Sequence, residues 1–124
     1  MKKYLTVHDL SCYERSFNLS NRVWDIVLKW DGFAKNTIGI QFVKAVDSQS
    51  ANIAEGFGRF NKKDKEKFYF NARGSVYEAT HWTEKAKKRN LITKEQYEHI
   101  ISQLMELPRE VNWLIKVTEN KLTI

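Results

Sequence analysis

The 124-residue sequence is poor in the residues that punctuate a chain, with one cysteine, one proline and five glycines. A lone Cys12 excludes an internal disulfide and any cysteine-rich metal cluster, and it fits a reducing compartment. With so little Pro and Gly, a many-stranded protein would lack residues for its turns, so long helices become the default. No run of about 18 apolar residues occurs, which excludes a membrane-spanning helix. Met1-Lys2-Lys3-Tyr4-Leu5-Thr6-Val7-His8-Asp9 carries charge but lacks the apolar stretch of roughly 7 to 15 residues that export needs. The expectation is a cytoplasmic protein that keeps away from membranes.

What is present is globular: 42% hydrophobic and 29% charged residues, with no linker, repeat or low-complexity tract. One domain over 1–124 is long enough to bury a modest core unaided. Apolar residues recur every three or four positions in four stretches. The first runs over 11–30, with Phe17, Val23, Trp24, Val27 and Trp30 on its stripe and Asp31-Gly32 as its stop, Gly32 taking a left-handed cap. A second, over 36–57, carries Phe42, Val43, Val46, Ser50, Ile53 and Phe57, and Gly56 and Gly58 close it. The third, over 62–89, places Phe68, Ala72, Ser75, Ala79, Trp82 and Ala86 on a heptad seam behind an Asn61 N-cap. Thr93 with Gln96 forms a capping box for the fourth, over 94–121, whose stripe of Tyr97, Ile100, Ile101, Leu104, Leu107, Val111, Leu114, Ile115 and Thr118 keeps its phase through Pro108. Pro108 should kink that helix without breaking it. Four such rods with short connections predict an all-α, antiparallel up-down-up-down four-helix bundle.

The net charge is +6, and it is unevenly placed. Arg59, Lys62, Lys63, Lys65, Lys67 and Arg73 face only Asp64 and Glu66 across 59–73, and Lys85, Lys87, Lys88 and Arg89 face only Glu84 across 84–89. The second group suits the negative end of a helix dipole. The first sits at a helix N-terminus, where the dipole opposes cations, so an anionic partner explains it better than helix stability does. Phe57, Phe60, Phe68, Tyr69 and Phe70 lie among these cations, and stacking on bases beside neutralised phosphates uses that mixture. The alternative is an aromatic core under a solvated corner of lysines. By helical rise the two clusters stand roughly 30 Å apart, so one protomer does not merge them, whereas a ring of protomers would present each as a basic rim.

Several chemistries are missing parts. Glu78-Ala79-Thr80-His81 has the Glu-x-x-His step of half a di-iron site, but the second such step is absent, so no metal is expected. Gly56-Phe57-Gly58-Arg59-Phe60 lacks the Gly-Lys-Ser/Thr ending of a phosphate loop. Cys12 has no activating neighbour in sequence. No enzyme and no cofactor are expected. Gly74, in mid-helix, costs about 1 kcal/mol relative to alanine, which close approach of another backbone would justify. Asn52, Glu55 and Arg59 share one helical face, and antiparallel registration sets Arg73 level with Asp47, predicting an ion pair.

Ser48-Gln49-Ser50-Ala51-Asn52-Ile53-Ala54-Glu55-Gly56-Phe57-Gly58-Arg59, followed by Ala72-Arg73-Gly74-Ser75-Val76-Tyr77-Glu78, resembles the 23S rRNA-intervening sequence protein family, also called four helix bundle proteins. The resemblance runs from about His8 to Leu122 and carries the family motif on Asn52, Glu55, Gly56, Arg59, Arg73, Gly74 and Glu78. It departs from the family at Gln49, where an aliphatic residue is usual, so the packing of the second helix is expected to differ there. The resemblance implies a bacterial, cytoplasmic bundle that assembles into a homopentameric ring, with no established activity. A distant relative, the accessory protein of diversity-generating retroelements, binds a reverse transcriptase and nucleic acid. A similar partner for this chain would be a reverse-transcriptase-like or ribosomal component. Two function classes follow: an oligomeric module that binds RNA or DNA through Arg59, Lys62, Lys63, Lys65, Lys67 and Arg73, or a protein-interaction scaffold assembling through its surplus of aromatics. In either class the motif itself reads as architectural.

Overall fold

The computed structural model describes residues 5–121; Met1–Tyr4 of the stretch read for export, and Leu122 at the limit of the resemblance, lie outside them. Within the described residues there is no strand, and four long helices make up the protein: α1 (Ser11–Leu28), α2 (Ile40–Gly58), α3 (Lys62–Lys88) and α4 (Lys94–Lys121). Each packs on its neighbours in sequence, most extensively α2 on α3, and α4 closes the bundle on α1. That is the four-helix arrangement the periodicity predicts. No described helix is long and apolar enough to cross a membrane.

The local signals sit where the sequence puts them. The Asn61 side chain accepts the Asp64 N–H at 2.9 Å, and Thr93 and Gln96 satisfy one another's backbone N–H groups at 2.9 and 3.1 Å. Asn90, at φ 60°, provides the left-handed end of α3, with the Leu91 N–H donating to Ala86 O at 2.9 Å. Around Pro108 the helix runs on unbroken.

The first connection differs from expectation. α1 stops at Leu28, short of Trp30, and Gly32 is no left-handed stop, since no described glycine has a positive φ. Asp31 instead caps a new helical turn, Gly32–Ala34, by accepting the Ala34 N–H at 3.0 Å. That turn widens into a π-helical segment, Lys35–Gly39, and runs directly into α2, so the second rod begins four residues before position 36. A Cβ on Gly39 would lie 2.9 Å from Val27 Cγ1 and 3.1 Å from Ala34 O, so glycine lets this wide turn press against α1.

Three stripes are rotated from their expected positions: on α2, Val43, Ser50 and Phe57 are only partly covered, and Ala45, Gln49 and Gly56 are buried beside Phe42, Val46 and Ile53. On α3 the buried residues are Tyr69, Ala72, Val76, Ala79, Thr83 and Ala86; the alanines are as expected, while Phe68, Ser75 and Trp82 are only partly covered. On α1, Phe17 and Trp24 face water, and Ser16 and Ser20 are buried in the seam instead. Their hydroxyls donate to Tyr13 O at 3.1 Å and Phe17 O at 2.8 Å, which lets small polar residues serve where helices approach closely.

The glycines of α2 and α3 also depart from expectation. Gly56 does not end α2, which continues to Gly58; it lies beneath the Tyr69 ring, and a Cβ there would come within 2.7 Å of Tyr69 Cε1. A Cβ on Gly74 would meet nothing within 4 Å, so no close approach inside the bundle accounts for it.

One polar tie joins α1 to α4. The Arg15 guanidinium donates to both Glu110 carboxylate oxygens, at 2.9 and 3.2 Å, and to Gln103 Oε1 at 2.8 Å.

Candidate nucleic-acid interface

The basic group at 59–73 divides once its contacts are traced. Lys65 turns inward: its ammonium donates to Phe57 O at 2.8 Å and Gly56 O at 3.4 Å, capping carbonyls in the last turn of α2. Burial lowers its pKa below the ordinary lysine value. Lys62 reaches the end of α4, donating to Glu119 O at 3.2 Å. Arg73 lies roughly 16 Å along α3 from its start, where it donates to Asn112 Oδ1 at 2.7 Å and stacks over Phe70 at 4.9 Å. The expected Asp47–Arg73 ion pair is therefore absent. The Arg73 side chain turns to Asn112 on α4 instead.

Three cations stay at the corner with their charge outward. Arg59 pairs with Glu55 at 2.8 Å, one helical turn back, and lays its guanidinium over the Phe68 ring at 4.7 Å. Lys67 approaches the same ring at 5.8 Å, and Lys63 is exposed. Phe60, at the tip of the turn, is 78% exposed, which leaves its ring face open. The aromatics that looked alike in sequence thus part company: Tyr69 is core, Phe57 and Phe68 are half-buried, and Phe60 and Phe70 face solvent. At the far end of α3, Lys85 lies over Trp82 at 5.6 Å and Lys87 over Tyr97 at 4.4 Å. These cation–ring pairings bring together residues on different turns or helices and were missed in the sequence.

The remaining motif residues are spent within the bundle. The Asn52 amide donates to Ser48 O at 2.8 Å, and Glu78 accepts the Trp82 indole N–H at 3.1 Å. His81 packs its ring against Trp82 at 4.8 Å. Among the described residues no three His, Cys, Asp or Glu side chains converge as metal ligands.

Cys12 is buried beside the core, and burial, with a smaller contribution from the Glu110 carboxylate, pushes its thiol up to about 12. Burial likewise pushes the Tyr69 hydroxyl up to about 12. Both groups are neutral in the fold and ionise more readily when unfolded, near 9.0 and 10.0. A raised folded pKa contributes stability that is complete below the unfolded value and lost as pH climbs toward the folded one. The urea midpoint should therefore hold up to about pH 9 and fall between there and pH 12, and Cys12 should resist iodoacetamide at pH 8 unless urea is added.

Two apolar grooves, which periodicity did not reveal, lie on opposite sides of the bundle. One, of about 290 Å³ between α1 and α2, is walled by Trp24, Leu28, Ile40 and Val43, with Lys35 and Lys44 at its rim. The other, of about 400 Å³ between α3 and α4, is walled by Tyr77, Ile101, Met105 and Pro108, with Glu84 among its lining residues. Trp24, Leu28, Ile40, Tyr77 and Met105 are each about half exposed or more.

The model of the 23S rRNA-intervening sequence protein family matches residues 8–112, which takes in the corner, both halves of the motif and most of α4. The chain belongs to that family. The fold is similar to that of a Bacteroides thetaiotaomicron protein of unknown function from the S23 ribosomal protein family, which superposes with a TM-score of 0.76 at 23% identity, over 85% of this chain and 98% of that one. No curated protein matches the chain. The first half of the motif packs on α3, with Gly56 admitting Tyr69 and Arg59 lying over Phe68.

Proposed function

We propose that this protein is a non-enzymatic, ring-forming module that binds single-stranded RNA at the α2–α3 corner. The observation that carries the reading is the Phe68 ring approached by both Arg59 and Lys67, in a turn that also exposes Lys63 and Phe60. Cations at the start of a long helix oppose its dipole, so their presence calls for an anion that repays the opposition. An aromatic edge among them suits unpaired bases, which stack without sequence preference. Lys62 and Lys65 have protein partners and act in this reading by shaping the corner, while Arg73, bonded to Asn112 on α4, lies outside it.

Fluorescence anisotropy on a labelled RNA oligomer, repeated over a range of salt, tests it. Arg59→Gln with Lys63→Gln and Lys67→Gln should flatten the slope of log K against log salt by about 2, near 0.7 for each lost phosphate contact. Phe60→Ala should weaken binding with the slope unchanged. Lys85→Gln with Lys88→Gln should leave both alone, and a single-stranded DNA arm reports preference for the 2′-hydroxyl. An unchanged slope in the corner variant would refute the reading.

A second reading rests on the two apolar grooves. Lying on opposite sides, with lysines at the rim of one and Glu84 beside the other, they suit a head-to-tail contact, which closes into a ring when the rotation permits. The pentamer of the family resemblance fits such a contact, and the ring would repeat the basic corner around its rim. Trp24→Glu and Met105→Glu should each reduce the species seen by sedimentation to a monomer. If RNA binding survives in those monomers, assembly and recognition are separate properties.

A further inference from the structure

Beyond the corner, α3 carries a second arginine-on-phenylalanine plate. Arg73 lies over the Phe70 ring at 4.9 Å, much as Arg59 lies over Phe68 at 4.7 Å. Phe68 and Phe70 are two positions apart, about 200° of helical turn and about 3 Å of rise, so the plates stand at nearly one height on opposite flanks of α3. Lys67 lies between them around the helix, on its exposed face.

The charge of the second plate is uncompensated. The Arg73 guanidinium donates to Asn112 Oδ1 at 2.7 Å, a neutral partner that ties it to α4. No described carboxylate forms an ion pair with Arg73, Lys67 or Lys116. Glu66, one turn before Phe70, opposes these three cations alone along α3, and Arg109 is already paired with Glu106. Arg73 sits in mid-helix, where no dipole end calls for a cation.

Ring surface accompanies the charge. Phe70 is 45% exposed, and Trp113, next to Asn112 on α4, is 60% exposed although tryptophan is highly buried on average. Trp113 shares a shallow depression of about 550 Å³ with Asn112 and Lys116. From Arg59 and Phe68, past Lys67, to Phe70, Arg73, Trp113 and Lys116, cations and rings alternate across α3 onto α4. Unpaired nucleic acid matches that order, because its phosphates are neutralised by the cations while its bases stack on rings and guanidinium planes.

We infer that single-stranded RNA held at the corner continues across the exposed face of α3, its phosphates following Lys67, Arg73 and Lys116 and its bases stacking on Phe70 and Trp113. The inference rests on the corner reading and extends it from one plate to two. A helix is about 10–12 Å across, so a strand that crosses α3 to reach α4 covers several nucleotides, within the range of about 4 to 16 for single-strand grooves.

The test is fluorescence anisotropy of the full chain with labelled oligouridines of about 4 and about 12 nucleotides, lengths that span one plate or both. Phe70→Ala and Trp113→Ala should each weaken the longer strand about fivefold or more, the low end for one stacked base. Lys116→Gln should flatten its salt slope by about 0.7, one phosphate contact. All three side chains are exposed and none forms a hydrogen bond within the described bundle, so the variants keep the fold. The shorter strand, held by the corner, should barely respond to them. Arg59→Gln with Lys63→Gln and Lys67→Gln is measured beside them. A longer strand that depends on the corner yet ignores Phe70, Trp113 and Lys116 would overturn the continuation and leave the corner standing. Failure of the parent chain to bind either strand would overturn both, as would binding that needs Trp113 and ignores the corner.

Discussion

Gly56→Leu is expected to lower stability by about 3 kcal/mol, the upper end of what overpacking a tight core costs. On helix propensity alone the change should help, because glycine in a helix interior is worth about 1 kcal/mol less than a good helix former. Space decides against it. The first added carbon would stand 2.7 and 2.9 Å from two Tyr69 ring atoms and 3.1 Å from Lys65 O. Tyr69 is only 1% exposed, so its ring has nowhere to retreat, and the Lys65 carbonyl is fixed in α3. Movement of α2 away from α3 would be the response, loosening the widest contact of the bundle. Gly74→Ala is the matched control: its Cβ would meet nothing within 4 Å, so it should gain about 0.5–1 kcal/mol. Urea unfolding of the two variants should move in opposite directions. A Gly56→Leu midpoint at or above that of the parent would contradict the packing described here.

Gln49→Leu is expected to raise stability by about 1–3 kcal/mol. Gln49 is wholly buried on α2, its amide N–H reaches Ser75 O at only 3.5 Å, and its side-chain oxygen has no partner. A hydrogen bond that long is weak, so removing it costs little, while removing the unpaired oxygen recovers a desolvation penalty. Leucine has a similar volume and fills the same space. The resemblance implies an aliphatic residue at this position, and the structure has a polar side chain buried inside an apolar layer. A thermal midpoint that falls in Gln49→Leu would mean that the amide is better satisfied than its contacts indicate.

The reading of the sequence succeeded wherever the deciding interaction is local. Asn61, and Thr93 with Gln96, act on backbone groups within a few residues, so their roles follow from spacing. Pro108 stays inside α4 because the apolar phase continues on both sides of it. The errors fall where a distant residue decides. Phe68 and Tyr69 differ by one position and are both aromatic, and the buried one is settled by Gly56 on another helix. Phe17 and Trp24 look like core, but the close seam of α1 takes Ser16 and Ser20, whose hydroxyls bond to their own helix. Arg73 was given the wrong partner, because a register argument addresses position along an axis and leaves direction around it open. The six cations of the corner are equal in sequence, yet the carbonyls at the ends of α2 and α4 draw in Lys65 and Lys62.

By itself, then, the sequence determined four amphipathic rods, most of their ends and their order around the bundle, since hydrophobic period and end-capping act over one or two helical turns. The tertiary structure alone decided which flank of each stripe is covered, which lysines keep their charge outward, and that Arg73 reaches Asn112 on α4. Those outcomes depend on side chains that meet across helices, dozens of residues apart in the chain, where rotation about the helix axis selects among partners that look equivalent along it.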